Sequence, residues 1–212
     1  RYTGNRRKRL PITKIIREKN FTEARHLMPK ATLDLEDPEV LRQLGTEWRF
    51  GAGWEPGSPN EGLEAQSAGS SARQPDYDDS DWEIIDDVEA GGKDKAAGGD
   101  SPGIRKTRST GLTFGWYRIR VTLPETVGNF NTEGAEVWFE SNIDDYGEIW
   151  VDGEWDRDAG AVNGFNVTNR VRVTESARPG DTHVIACLAV NGPLARPGGG
   201  IFMRYALLDF EK

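Results

Sequence analysis

The stretch LTFGWYRIRVTL (112–123) decides the fold class of this chain. It is rich in aromatic and β-branched residues and is followed by Pro124, a composition that is typical of a β-strand. Successive side chains of a strand point to opposite faces, so Trp116 and Tyr117 must lie on opposite sides. The stretch therefore predicts one long strand with a ring on each face.

Similar segments recur on both sides of this stretch, separated by Gly and Pro turn signals. We predict further strands at TEWRF (46–50), GAEVWFESNI (134–143), GEIWVDG (147–153), NRVRV (169–173), THVIACLAV (182–190) and GIFMRYALLDF (200–210). Many short strands without intervening helices are typical of a sandwich or barrel. The pattern predicts an all-β fold, an antiparallel sandwich or barrel with short N-terminal helices.

The segment before these strands, residues 1–44, is predicted to be a basic N-terminal arm with one or two short helices. Apolar residues recur at helical spacing within ITKIIREKNFTEARHLM (12–28). A further helix is indicated by DPEVLRQL, where Asp37 fits the N-cap position and Pro38 the first turn. Gly45 is the expected stop signal of that helix.

The remainder, residues 45–212, is predicted to form the sandwich. Two of its loops are long and rich in Gly, at about 53–80 and 90–110. The single cysteine, Cys187, lies in the apolar run HVIACLAV, which favours a buried thiol that acts as a small hydrophobic residue.

The formal net charge of -8 hides a strong asymmetry. Residues 1–30 hold ten basic and two acidic side chains, whereas the rest of the chain holds seventeen basic and thirty-three acidic ones. An acidic body argues against nucleic acid as the ligand, because phosphate binding needs a basic face. No apolar run is long enough to span a membrane.

The basic cluster of the arm, Arg6, Arg7, Lys8 and Arg9, is the candidate partner-docking element. Its partner would be an acidic protein, an anionic membrane surface or the acidic body of this same chain, and a solvated tail is the alternative. Peripheral membrane association through residues 1–30 is therefore one expectation, and docking into a larger protein assembly is another.

Three segments resemble galactose-binding-like domains, including the sugar-binding domain of family 2 glycoside hydrolases. They are DYDDSDWEIID (76–86), GWYRIRVTLP (115–124) and DDYGEIWVDGE (144–154). The resemblance is closer to the N-terminal β-sandwich of some bacterial gluconolactonase-like proteins, in which IDDYGEIWVDG, GFNVTNRV, ARPGD and NGP recur in this order. It covers about residues 45–211, and the catalytic metal ligands of those proteins lie in a propeller that this sequence does not contain.

The resemblance implies an all-β fold, an antiparallel jelly-roll β-sandwich, and a non-catalytic binding domain whose ligand is a carbohydrate. It also favours a bacterial protein that is exported or peripheral to a membrane over one that is free in the cytosol. The alternative function is a structural accessory subunit that docks through its basic arm. An enzyme is not expected, since the sequence has two histidines and no nucleophile elbow or phosphate-binding glycine loop.

Sugars are recognised by exposed aromatic rings and by the guanidinium group of arginine. Trp54 and Trp155 fall in predicted loops, whereas most strand-borne rings, including Trp116, Trp138 and Trp150, are expected to fill the core. Arg118 can bind sugar hydroxyls or carboxylates with its guanidinium or pair with the protein's own surplus of acids, and Arg196 lies in the turn at 191–200. The candidate ligand-binding residues are Trp54, Trp155, Arg118 and Arg196.

Acidic residues crowd the hairpin that follows residue 143 and the loop beyond it. Oxygen ligands around a turn suit Ca²⁺, so Asp144, Asp145, Asp156 and Asp158 are candidate ligands of a structural calcium ion. Their spacing lacks the EF-hand pattern, and a solvated acidic loop is the alternative interpretation. No other cofactor is expected.

Overall fold

A computed structural model describes residues 30–54, 56, 70–85, 107–108, 113–144, 146–163, 167–191 and 200–212. Within these ranges there is one α-helix, α1 (Pro38–Leu44), and one 3₁₀ helix (Ser71–Arg73). The strands in chain order are β1 (Lys30–Asp34), β2 (Arg49–Ala52), β3 (Glu83–Ile84), β4 (Thr107–Arg108), β5 (Thr113–Thr122), β6 (Thr126–Val127), β7 (Phe130–Asn131), β8 (Glu136–Asp144), β9 (Tyr146–Val151), β10 (Ala161–Asn163), β11 (Thr168–Thr174), β12 (Thr182–Asn191) and β13 (Gly200–Glu211).

Two antiparallel sheets form the body of the protein. The five-stranded sheet has the order β1-β13-β8-β11, with β4 also pairing with β13. The six-stranded sheet has the order β10-β9-β12-β5-β2-β3. A small hairpin, β6–β7, lies apart from both. These sheets confirm the predicted all-β antiparallel sandwich.

The main core contains apolar side chains from both sheets. From the five-stranded sheet come Val137, Phe139 and Phe210, all fully buried. From the six-stranded sheet come Tyr117, Ile119, Val121, Ile149, Ile185 and Cys187. The strand β5 thus alternates as its sequence predicts, with Tyr117 inward and Trp116 in a separate cluster on the other face.

The predicted buried thiol is also confirmed. Cys187 is fully buried in the main core, and desolvation by burial raises the pKa of its thiol well above the usual value. A thiol that stays protonated in an apolar core is inert, so Cys187 contributes packing rather than chemistry.

Helix α1 begins and ends where the sequence predicts. The carboxylate of Asp37 accepts a hydrogen bond from the Glu39 amide at 2.8 Å, and Pro38 occupies the first turn. Gly45 terminates the helix in the left-handed region at φ 62°, where a side chain would be strained. No helix within the described part of the chain is long and apolar enough to cross a membrane.

The sheet begins earlier than the expected boundary at residue 45. Strand β1 runs antiparallel to β13, with Lys30 opposite Glu211 and Asp34 opposite Leu207. Its five residues have no strong period of their own, so the strand depends on pairing with a distant segment. The first strand after α1 is also shifted, to Arg49–Ala52 instead of 46–50, because Trp48 turns into the core and donates its indole N–H to the Leu35 carbonyl at 2.8 Å.

The helices predicted over residues 12–28 lie outside the described residues, as does most of the Gly-rich loop at 90–110. In that loop's range, Thr107 and Arg108 form β4. The other predicted loop, 53–80, is described at residues 53, 54, 56 and 70–80, and its second half packs against the six-stranded sheet.

Candidate functional site

The outer face of the six-stranded sheet, which points away from the main core, holds a second apolar cluster. Its buried members include Phe114, Trp116, Ala186 and Leu188 on the sheet, with Ala72 packed on them from outside. Partly buried rings surround them, namely Trp54, Trp82 and Trp150. An apolar cluster with half-exposed indoles on a sheet surface is unusual for a solvated face, and it marks this face as the candidate site.

Residues 70–82, here called the strap, cross this face. Ser70 caps the short 3₁₀ helix by accepting a hydrogen bond from the Ala72 amide at 3.1 Å. At its far end Trp82 lies against β2 so closely that a Cβ on Gly51 would come within 2.6 Å of the indole. A side chain at position 51 would therefore push the Trp82 indole away from the sheet.

Arg118 fastens the strap to the sheet. Its Nε pairs with Asp79 Oδ2 at 2.7 Å, and its Nη1 donates to the carbonyls of Ala72 and, at 3.0 Å, Gln74. Its guanidinium carbon also lies 5.5 Å from the Tyr77 ring centroid and 5.9 Å from that of Trp82.

Only 1% of the Arg118 surface is exposed, because the contacts with its own chain enclose the guanidinium. A cation that binds a ligand directly would be more exposed. The structure thus places this candidate at the site in a supporting position. Within the part of the chain that the structure describes, its buried Nη2 has no hydrogen-bond partner. A role in ligand binding for Arg118 stays a prediction.

A pair of stacked indoles lies at the β9 side of the same face. The Trp150 and Trp155 ring centroids are 5.5 Å apart, with 31° between the ring planes. Arg73 of the strap lies over Trp150 at 5.2 Å, and Arg157 lies over Trp155 at 5.7 Å. Both indoles are half-buried, so their positions are fixed while part of each ring stays accessible.

The Trp155 indole packs closely against Gly160. A Cβ on Gly160 would lie 2.5 Å from Cδ1 of the Trp155 indole and 2.8 Å from its Nε1. Among the described residues, the buried Trp155 Nε1 has no hydrogen-bond acceptor. A buried indole N–H without an acceptor is costly.

Trp54, the other predicted ring, lies across the second cluster from this pair. Its indole meets Phe114 edge-on at a centroid distance of 5.5 Å, and its carbonyl accepts a hydrogen bond from Trp116 Nε1 at 2.9 Å. The structure therefore brings Trp54, Arg118 and Trp155 to one face, as the ligand-binding prediction requires.

Sequence reasoning missed a polar row on β9. Glu148 accepts hydrogen bonds from the Tyr146 hydroxyl at 2.7 Å and from Trp150 Nε1 at 3.2 Å. Desolvation by burial, with the neighbouring Glu148 carboxylate, raises the pKa of Tyr146 well above its usual value, so its hydroxyl stays a donor. The period-two spacing of 146, 148 and 150 was the signal that places Trp150 on this face instead of in the core.

Beyond the strap lies a polar hollow of about 360 Å³, here called the arginine cleft. Three arginines, Arg49, Arg118 and Arg120, line it together with Glu47 and Asp79. Its rim is formed by Leu44, Gly45 and Thr46 at the end of α1 and by Thr122 on β5.

The acidic residues proposed for calcium are used locally where the structure describes them. Asp156 Oδ1 accepts the amides of Asp158 and Ala159 at 2.9 and 3.2 Å, which closes its own loop. Asp158 is exposed, and Asp144 lies on β8 opposite Phe202. In the described ranges no group of three or more His, Cys, Asp or Glu is arranged to hold a metal ion.

Several candidates lie outside the described residues. They are Asp145 of the calcium proposal, Arg196 of the ligand-binding set, and Arg6, Arg7, Lys8 and Arg9 of the basic arm. Their roles stay predictions.

No protein-family model matches this chain, and no curated protein matches it. Solved structures with a similar fold include a Bacteroides uniformis beta-glucuronidase at 18% identity and a TM-score of 0.49, covering 86% of this chain and 18% of that chain. A family 2 glycosyl hydrolase from Bacteroides cellulosilyticus is 16% identical with a TM-score of 0.47, covering 84% of this chain and 20% of that one. Faecalibacterium prausnitzii beta-glucuronidase is 16% identical with a TM-score of 0.46, covering 87% of this chain and 31% of that one.

This chain therefore spans less than a third of the length of these glycosidases, and the likeness concerns the fold only. The finer resemblance to gluconolactonase-like proteins stays a prediction.

Proposed function

We propose that this protein is a non-catalytic domain that binds carbohydrate on the outer face of the six-stranded sheet. The observation that supports this most is the Trp150–Trp155 pair, two half-buried indoles held 5.5 Å apart on a surface that also carries hydrogen-bonding groups. The sequence resemblance to sugar-binding sandwich domains points to the same ligand class.

The chemistry of this pair suits a sugar ring. The apolar C–H face of a pyranose stacks on an indole, while its hydroxyls need donors and acceptors at the ring edge. Glu148 supplies an acceptor next to Trp150. Arg73 lies over Trp150 and Arg157 over Trp155, so a sugar would stack on the parts of the rings that these guanidiniums leave exposed. Both indoles are fixed by packing, so little side-chain entropy is lost when a ligand binds.

Binding without hydrolysis is the better fit to the carboxylates of this face. Glycoside hydrolysis needs one carboxyl group as acid and a second as base or nucleophile. Here Glu148 is hydrogen-bonded by Tyr146 and Trp150, and Asp79 is paired with Arg118. Both of these carboxylates thus already have a structural partner.

The test is calorimetric titration of the intact chain with a panel of neutral mono- and oligosaccharides. We expect at least one to bind, and we expect Trp155→Ala to weaken that binding about tenfold through loss of stacking. Trp138→Ala is the matched control, because Trp138 is also half-buried under an arginine, with Arg170 4.5 Å from its ring, but lies on the other sheet. No heat with any sugar, or equal losses in both variants, would refute the proposal.

The accessory-subunit role is the alternative, and the charge asymmetry of the sequence supports it. Residues 1–30 are strongly basic and the rest of the chain is acidic. The same titration separates the two functions, since a chain that binds no sugar leaves docking through residues 6–9 as the better explanation of that asymmetry.

A further inference from the structure

We propose that the arginine cleft is a binding site for a small ligand with one carboxylate group, such as a sugar acid. This site lies on the other side of the strap from the Trp150–Trp155 pair, and the proposal does not depend on sugar stacking there.

The sheet register brings three cations together. Arg49 on β2 lies directly opposite Arg118 on β5, and Arg120 lies two residues further along the same face of β5. Residues two apart on a strand are separated by about 7 Å, and directly opposed residues by about 5 Å. Like charges at such positions repel each other, so this arrangement needs compensation.

Protein side chains compensate two of the three. Asp79 pairs with Arg118 at 2.7 Å, and Glu47 pairs with Arg49, whose Nη1 also donates to the carbonyls of Asp79 and Ser80 at 3.0 and 2.9 Å. These contacts hold both guanidiniums rigidly.

Arg120 is the third cation and is less well satisfied. It is exposed, and its side chain makes one long hydrogen bond, from Nη2 to the Pro75 carbonyl at 3.3 Å. The described lining of the cleft therefore carries three positive charges against two negative ones. Arg118, which also lines the cleft, has a buried Nη2 with no hydrogen-bond acceptor among the described residues. An anion in the cleft would supply both the missing charge and acceptor oxygens.

The size and surroundings of the cleft select the ligand class. A carboxylate matches the fork of a guanidinium, and a hollow of about 360 Å³ has room for a single sugar ring beside it. A polyanion is disfavoured because the acidic body of the protein would repel it. The end of α1 on the rim carries at most about half a negative charge, which the excess arginine outweighs.

The experiment compares two ligands that differ only at C6, D-glucuronate and D-glucose, by titration into the intact protein at low ionic strength. We expect glucuronate to bind more tightly than glucose, and added salt to weaken it. Arg120→Gln should weaken glucuronate binding about tenfold, the usual effect of losing a charged hydrogen bond, and Arg120→Lys should restore part of it. Arg172→Gln, at an exposed arginine of β11 in the five-stranded sheet, is the control and should change nothing.

Three results would overturn this proposal. The first is that glucuronate binds no better than glucose, and the second is that Arg120→Gln leaves the affinity for glucuronate unchanged. The third is displacement of glucuronate by inorganic sulfate at equal concentration, which indicates a site for any anion. Each is distinguishable from failure of the proposed function, because neutral-sugar binding is judged by Trp155→Ala and not by Arg120→Gln.

Discussion

The two outer faces of the sandwich treat their charges in opposite ways. On the five-stranded sheet, Asp209 is 1% exposed and is held by Lys30 Nζ at 2.6 Å and Thr32 Oγ1 at 2.7 Å. Arg170 pairs there with Glu211 at 2.7 Å and lies near Asp209 at 3.5 Å. On the six-stranded sheet, three arginines share two acids, and half-buried indoles line the surface beside them.

This difference separates stability from recognition. Charged side chains on paired strands can neutralise one another, as Lys30 of β1, Asp209 of β13 and Arg170 of β11 do, with β8 lying between β13 and β11. A face that keeps an unpaired cation, a donor without an acceptor and accessible rings has groups to offer a ligand. We therefore expect substitutions on the first face to change unfolding, and substitutions on the second to change both unfolding and binding.

The largest loss in the free energy of unfolding is expected at Arg118, which holds the strap on the outer face of the six-stranded sheet. Arg118→Ala removes the ion pair with Asp79 and the hydrogen bonds to two strap carbonyls, so we expect a loss of about 3 kcal/mol in the free energy of unfolding. Urea denaturation measures it. Arg120→Ala, two residues away and exposed, is the control and should lose less than about 0.5 kcal/mol. Equal losses would contradict the clamp role of Arg118.

The next largest loss in the free energy of unfolding is expected at Asp209, on the outer face of the five-stranded sheet. Burial acts to raise the pKa of this carboxyl, but the hydrogen bonds from Lys30 and Thr32 and the charges of Lys30 and Arg170 outweigh it, so the pKa lies below the ordinary 3.8. Asp209→Asn should lower the free energy of unfolding by about 2 kcal/mol at neutral pH.

The sign of the pH dependence follows from that lowered pKa. A carboxyl that is more acidic in the folded state stabilises the fold above its unfolded pKa, and this stabilisation is lost as the pH falls through the folded pKa. Urea midpoints between about pH 6 and pH 2 should therefore fall less steeply for Asp209→Asn than for the unchanged protein. Parallel curves would show that Asp209 is not the group involved.

The smallest loss in the free energy of unfolding is expected at Gly51, where the Trp82 indole of the strap packs on β2. Gly51→Ala places a Cβ within 2.6 Å of Trp82, and because that indole is half-buried it can tilt away, at a loss of about 1–2 kcal/mol. A shift in tryptophan emission should accompany the lower urea midpoint. The control is Ala52→Val, which adds volume at the neighbouring exposed position and should leave the emission unchanged.

The sequence was sufficient for the elements that have a strong local pattern. Strand β5, helix α1 with its Asp37 cap, and the buried Cys187 were all predicted from periodicity and turn chemistry. It was insufficient for β1, because that strand is defined by its pairing with β13.

The candidate site was predictable only in part. Trp54 and Trp155 were predicted as exposed rings and Arg118 as a ligand-binding guanidinium. All three lie on one face. Trp150 was assigned to the core because a strand-borne indole usually lies there, whereas this sheet has a second apolar cluster on its outer side. Such a cluster exists only because the strap packs back onto the sheet, and no local pattern in residues 70–82 indicates that contact.

The position of strand β13 determines when its sheet can be completed during synthesis. Strand β13 lies between β1 and β8, and the bonds from Lys30 and Thr32 to Asp209 span 179 and 177 residues. A nascent chain that ends before residue 200 leaves β1 without its partner and two strand edges open. Contacts of such long range slow folding and expose edges that aggregate, so this sheet is completed only when the final strand leaves the ribosome.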